Sequence, residues 1–145
     1  MGCRLTVTLL TEHQEGNIGS DWKYLLELKV FSRGMVGKGK VRVKKHQLDS
    51  GETQAPPGPP DPLAVDLGEC SGELTVKMLL TATEVDMFIN DTGKIDKTVS
   101  ITCPAPGTPA ATEEFEISVG VRESPGLLNE VAIFTLKGLL ALSCD

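Results

Sequence analysis

The chain reads as an all-β protein, one antiparallel β-sandwich of about eight strands across residues 1–145. Three observations lead there. Apolar and polar residues alternate with a period of two in one segment after another. Clusters of Gly, Pro, Asn and Asp separate those segments, as turns do between strands. Signs of a helical period are weak throughout.

Taken in order, Arg4–Thr11 sets Leu5, Val7 and Leu9 on one face and Thr6 and Thr8 on the other. Lys23–Phe31 is rich in Leu and Val, and Lys40–Lys45 alternates basic residues with valine. Leu63–Leu67 is a short strand. Glu73–Thr83 places Leu74, Val76, Met78 and Leu80 on one face. Thr98–Cys103 alternates weakly, whereas Glu114–Val121 turns Phe115, Ile117, Val119 and Val121 inward. Val131–Leu142 is apolar on both faces. Its β-branched start and Gly138 favour a buried strand over a helix, with a partner or a loop expected over one face. The proline-rich stretches Gln54–Pro62 and Pro104–Pro109 read as stiff connections, the first of them exposed.

The bulk properties narrow the function classes. A chain of 145 residues is long enough to bury a core without staples. Its 20 acidic and 14 basic residues give a net charge of −6. That balance argues against non-specific nucleic-acid binding and against simple adsorption to an anionic membrane. No apolar run approaches the roughly 18 residues that span a bilayer, and no signal peptide is visible, so a cytoplasmic location is expected, with peripheral membrane association open and a mature secreted form that has lost its signal peptide as the alternative. Cys3, Cys70, Cys103 and Cys144 form no CxxC knuckle. Four cysteines could form two disulfides in three pairings, but without a signal peptide the expectation is that they are reduced and mostly buried. Met1-Gly-Cys-Arg-Leu-Thr6 matches the myristoylation pattern, with Cys3 available for palmitoylation. The only histidines are His13 and His46, and neither G-x-S-x-G nor H-E-x-x-H occurs. An enzyme is therefore not expected.

The acidic stretches are more specific. Glu84 to Asp96 reads as a loop carrying Glu84, Asp86, Asn90, Asp91 and Asp96. A hard cation such as calcium takes oxygens from carboxylates, amides and carbonyls, so this composition suits it. Glu84 and Asp86, two apart, point the same way from a strand end, and Asp91 returns after the turn at Asn90–Gly93. A second loop, Glu12 to Asp21, offers Glu12, Glu15, Asn17 and Asp21. Two such loops at one end of a sandwich repel unless a cation or a basic partner lies between them. The same residues are ordinary turn formers, and the spacing is not that of an EF-hand.

Several of these residues together resemble the C2 domain, the calcium- and phospholipid-binding β-sandwich of the protein kinase C and synaptotagmin type. The resemblance runs over residues 4–100. The chain opens on Leu5-Thr-Val-Thr-Leu-Leu10, and Ser20-Asp-Trp-Lys-Tyr-Leu-Leu-Glu-Leu28 is similar to the S-D-P-Y-V-x-x-x-L stretch of that family. Glu15 and Asp21 are spaced like its first-loop aspartates. Glu84-Val-Asp86, Asn90-Asp91 and Gly93 resemble its D-x-D-x-x-x-x-x-D-x-x-G loop. The resemblance implies calcium as a cofactor, with Glu15, Asp21, Glu84, Asp86 and Asp91 as ligands.

It also implies a face for anionic ligands. Lys40, Arg42 and Lys44 share one side of a strand, Val41 and Val43 the other, and Lys38 and Lys45 add to the charge. Lysines that protect an exposed edge strand are the competing explanation. The expected function is a non-enzymatic binding module that contacts an anionic membrane surface or a protein partner. The alternative is a structural subunit that forms homo- or hetero-oligomers, without metal, through its apolar C-terminal strand. Two features separate them: whether the acidic loops converge, and whether the outer face of Val131–Leu142 is covered.

Overall fold

In the computed structural model, which describes residues 2–57, 62–87, 89–123 and 130–145, the period-two segments become strands. In chain order they are β1 (Cys3–Glu15), β2 (Asp21–Phe31), β3 (Met35–Gln47), β4 (Thr53–Gln54), β5 (Leu63–Gly68), β6 (Glu73–Glu84), β7 (Asp91–Thr102), β8 (Ala111–Arg122) and β9 (Val131–Cys144). They form two antiparallel sheets, as expected. One runs β3–β2–β6–β7, and the other runs β4–β1–β9–β8 with β5 also pairing along β1. Among the described residues no helix is long and apolar enough to cross a membrane.

Side chains on alternate positions meet between the sheets. Trp22 stacks on Phe134 with ring centroids 5.4 Å apart, and Tyr24 tilts against the same ring at 4.9 Å. Leu26, Leu28, Met78, Leu80, Leu136 and Leu140 are fully buried around them. Each such side chain contributes roughly 1.5–3 kcal/mol of burial free energy.

Glycines let the edges of the sandwich close. Leu63, Val65 and Leu67 of β5 pack against Gly37 and Gly39 of β3, filling the space that side chains would take. At the other corner a Cβ on Gly93 of β7 would lie 2.4 Å from the carbonyl oxygen of Gly120 in β8. There Lys97 Nζ also donates to the Glu116 carbonyl at 2.7 Å.

Several strands exceed their expected limits, β3 running Met35–Gln47 rather than Lys40–Lys45, and in β1 and β7 the physical reason is plain. In β1, Leu9 pairs with Gly138 and Thr11 with Lys137, so Leu10 is the extra residue of a β-bulge. The bulge switches the inward positions from Leu5 and Val7 to Glu12 and Gln14, both fully buried. Polar residues thus occupy the core side of the strand beyond Thr11, where an apolar pattern gives no sign of it. β7 begins at Asp91 rather than Thr98, because an edge strand with exposed Lys94, Asp96 and Lys97 carries little apolar alternation. The segment expected to be a loop as far as Asp96 is therefore a loop only between β6 and β7.

The cysteines differ from expectation. None is free: Cys3 bonds Cys144, and Cys70 bonds Cys103. Cys3 and Cys144 stand directly opposite each other where β1 pairs β9. This proximity across a sequence separation of 141 comes from strand order, which local spacing does not reveal. The thiol of Cys3 is consumed in that bond, so it is not available for palmitoylation. The C-terminal segment is a strand as expected, and its outer face is open at the start, with Val131 37% and Ile133 46% exposed, while Leu139 and Ala141 further along are half-buried. Pro104–Pro109 joins β7 to β8. The expectation of an extended Gln54–Pro62 loop falls partly on residues 58–61, outside those described.

Candidate metal centre

The core face of β6 runs Leu74, Val76, Met78, Leu80, Ala82 and then Glu84. Strand alternation thus carries a carboxylate into the last inward position. Asp91, the first residue of β7, stands directly opposite Glu84, and Trp22 of β2 stands opposite it on the other side. Glu84 is 3% and Asp91 1% exposed. Like charges directly opposite on neighbouring strands destabilise a sheet. Exposed Asp86 completes the group, and one oxygen from each of Glu84, Asp86 and Asp91 lies within 4.8 Å of the other two.

The β1–β2 connection closes over this group. Gly19 has φ +145°, and a Cβ there would lie 2.0 Å from Glu84 Oε1. Glycine is therefore required both by the backbone and by the carboxylate behind it. The Val85 N–H donates to the Asp21 carbonyl at 2.7 Å, and the Asp21 N–H donates to the Glu84 carboxylate. Glu84 Oε2 is buried and has no hydrogen-bond partner. Burial pushes the Glu84 carboxyl up to about 7, helped by the charges of Asp86, Asp91 and Asp21 and opposed by the Asp21 N–H. In the loop itself, the Asp86 N–H donates to Asn90 Oδ1 and the Met87 N–H to Asp86 Oδ1, each at 3.1 Å.

The facing sheet adds two acids that the sequence reading did not single out. Glu123 lies two residues beyond inward Val121, and Glu130 lies two residues before inward Ala132. They continue the core alternation by one position, and the Glu123 N–H donates to the Glu130 carbonyl at 2.9 Å. A hydrogen bond between their carboxyl groups raises the Glu123 pKa first, followed by burial and by the charges of Glu130, Asp91 and Asp86. The sequence signal was present as an acid two positions outside each inward apolar run.

Of the expected ligands, Glu84, Asp86 and Asp91 come together. Asp21 is exposed and reaches Glu84 through its backbone and its charge. Glu15 does not join them: the Leu10 bulge leaves it on the outward side of β1, 3.1 Å from His13 Nε2. The arrangement gathers three carboxylates, two buried and one exposed, and carboxylate oxygens are the donor type that hard cations take.

Glu12 is a buried carboxylate of another kind. It accepts from Tyr24 Oη at 2.8 Å and from Gln54 Nε2 at 3.0 Å, and it lies 2.5 Å from His46 Nε2. His46 Nδ1 meets the Lys44 carbonyl at 2.7 Å. Both ring nitrogens thus face oxygens, and His46 bridges Glu12 to the backbone of its own strand. Burial, then the Glu12 charge and hydrogen bond, hold the Tyr24 hydroxyl far above its usual range. This cluster is satisfied internally and welds β1 to the opposite sheet.

Lys40, Arg42 and Lys44 are exposed on edge strand β3, with Val41 and Val43 buried behind them, as the alternation implied. No protein-family model matches this chain, and no curated protein matches it.

Proposed function

We propose that this chain is a non-enzymatic calcium-binding module whose metal site is the acidic end of the sandwich. The observation that carries this is Glu84: a nearly buried carboxylate with a bare Oε2, grouped with Asp86 and Asp91 and hemmed in by Gly19. A structure that crowds like charges into a cleft gains most from a divalent cation, which removes the repulsion and fills the missing contact. The convergence of the two acidic connections at Glu84 and the C2-like spacing of the same residues support the same reading. Bound calcium would neutralise this end and permit contact with an anionic surface or protein partner.

The test is a calorimetric titration of the whole chain with calcium, with magnesium as control. Saturable calcium heat that disappears in Asp86→Ala, with the fold intact by circular dichroism, supports the site. Absence of heat and of thermal stabilisation at millimolar calcium refutes it.

One observation favours a second reading. Val131 and Ile133 of β9 and Leu10 on the β1 bulge are exposed apolar residues on the same sheet. Assembly through that outer face would cover them, and sedimentation at two protein concentrations separates a self-associating chain from a monomeric module.

A further inference from the structure

The outer face of the β3–β2–β6–β7 sheet gathers positive charge in a chain that is negative overall. Lys38, Lys40, Arg42 and Lys44 leave β3 on that side, and Lys23 and Lys29 leave β2. Exposed Lys77 and Lys94 extend the patch onto β6 and β7. Between the strand ends, Glu27 and Asp96 are the acids on this face among the described residues.

The register makes part of the patch repulsive. Lys29 stands directly opposite Lys38 on one side and Lys77 on the other. This is a ladder of three lysines across three strands, spaced about 4.8 Å apart. Among the described residues no ion pair relieves it. Protection of an edge from aggregation accounts for lysines on β3, but not for those on the interior strands β2 and β6. A ligand carrying closely spaced anionic groups accounts for all of them.

We infer that this face binds a linear anionic polysaccharide laid along the β3 cations, with the Lys38–Lys29–Lys77 row crossing the strands at the Lys38 end of that run. Cations on one side of a strand recur about every 6.6 Å, which suits a chain with a charge on each successive sugar. Among the described residues this face has no open stacking platform for bases: Lys77 Nζ covers the Phe31 ring at 5.2 Å, and Trp22 and Tyr24 are buried. Among the described residues the middle of the face has no exposed apolar anchor for a bilayer either, since exposed Met35 and Val36 lie at the start of β3 and Met87 and Ile89 in the β6–β7 loop. Paired cysteines suit an oxidising compartment, where sulfated and uronate polymers are the abundant linear polyanions.

The experiment uses heparin as probe, in EDTA so that the cation site plays no part. Binding to the full chain is followed by fluorescence anisotropy from 50 to 300 mM salt, with neutral dextran as control. The expected result is saturable heparin binding that weakens steeply with salt. The triple variant Lys29→Gln, Lys38→Gln, Lys77→Gln should bind at least tenfold more weakly, and Lys137→Gln on the other sheet should bind as the parent does. The triple variant relieves repulsion, so its melting temperature should not fall, and a melt confirms that it is folded. Failure to bind heparin at 50 mM salt overturns the inference, as does parental affinity in the triple variant. Tighter binding of a single-stranded thymidine oligomer or of phosphatidylserine vesicles overturns it too, in favour of nucleic acid or a membrane.

Discussion

Replacing Glu84 with Gln keeps the shape of the side chain and removes its charge. The carboxyl is raised from 4.5 to about 7 in the folded protein, chiefly by burial. A raised folded-state value means that the native chain holds its proton more tightly than the unfolded chain does. Stability is therefore undiminished below pH 4.5, falls as pH rises through the interval to about 7, and stays reduced above it. The full loss is about 3 kcal/mol, from 1.36 kcal/mol for each tenfold change in proton affinity. Glu84 is itself nearly buried, but the cleft is open beside it at exposed Asp86, so solvent screening makes this figure an upper bound. Gln brings an amide that must find partners, which returns about 1 kcal/mol. Glu84→Gln should thus be more stable than the parent by up to about 2 kcal/mol at pH 8, and no more stable at pH 5. Urea unfolding of both proteins at the two pH values, in EDTA, measures this, and other titrating groups cancel in the comparison. Saturating calcium should then stabilise the parent and leave the variant unmoved. Parallel stability curves for the two proteins from pH 5 to pH 8 would refute the account of Glu84 as a charge strained by burial.

Two further substitutions probe the frame that holds the site. His46→Ala strips a partner from the fully buried Glu12 and should cost about 3 kcal/mol in urea unfolding, with His46→Gln, which can still donate, costing less than half as much; equal losses would show that packing alone is at stake. Gly93→Ala places a methyl against the Gly120 carbonyl and should lower stability by about 1–3 kcal/mol, read as a fall in melting temperature, whereas an unchanged melt would mean that the β7–β8 corner gives way freely.

The positions of the main strands were legible in the sequence because one face of each is buried, and burial writes itself as alternation. Glu73 to Glu84 shows this most plainly: its apolar side predicts the strand and its last inward position delivers Glu84. Legibility failed wherever a polar residue took an inward place. Glu12 looked like a loop acid because the Leu10 bulge had changed which side of β1 faces the core. The same bulge explains why Glu15 looked like a ligand and stands outside the group. The Glu84–Asp86–Asp91 group was readable because β6 and β7 form a hairpin, so its members are close in sequence as well as in space. Glu123 and Glu130 flank the β8 and β9 strands of the other sheet, and sequence spacing carries no information about which ends of two sheets coincide. The cysteine pairs depend in the same way on strand order.

The bond between Cys3 and Cys144 turns a linear chain into a covalent ring with almost every residue inside the loop. Tension applied through the two ends would pass along this one link, from the start of β1 to the end of β9, without crossing the interior of either sheet. The hydrogen-bonded ladders would remain unloaded until that link was reduced, however hard the ends were pulled. Such a molecule can be tethered at both termini and still keep its cation cleft and its basic face undistorted, a mechanical insulation that neither sheet could provide alone.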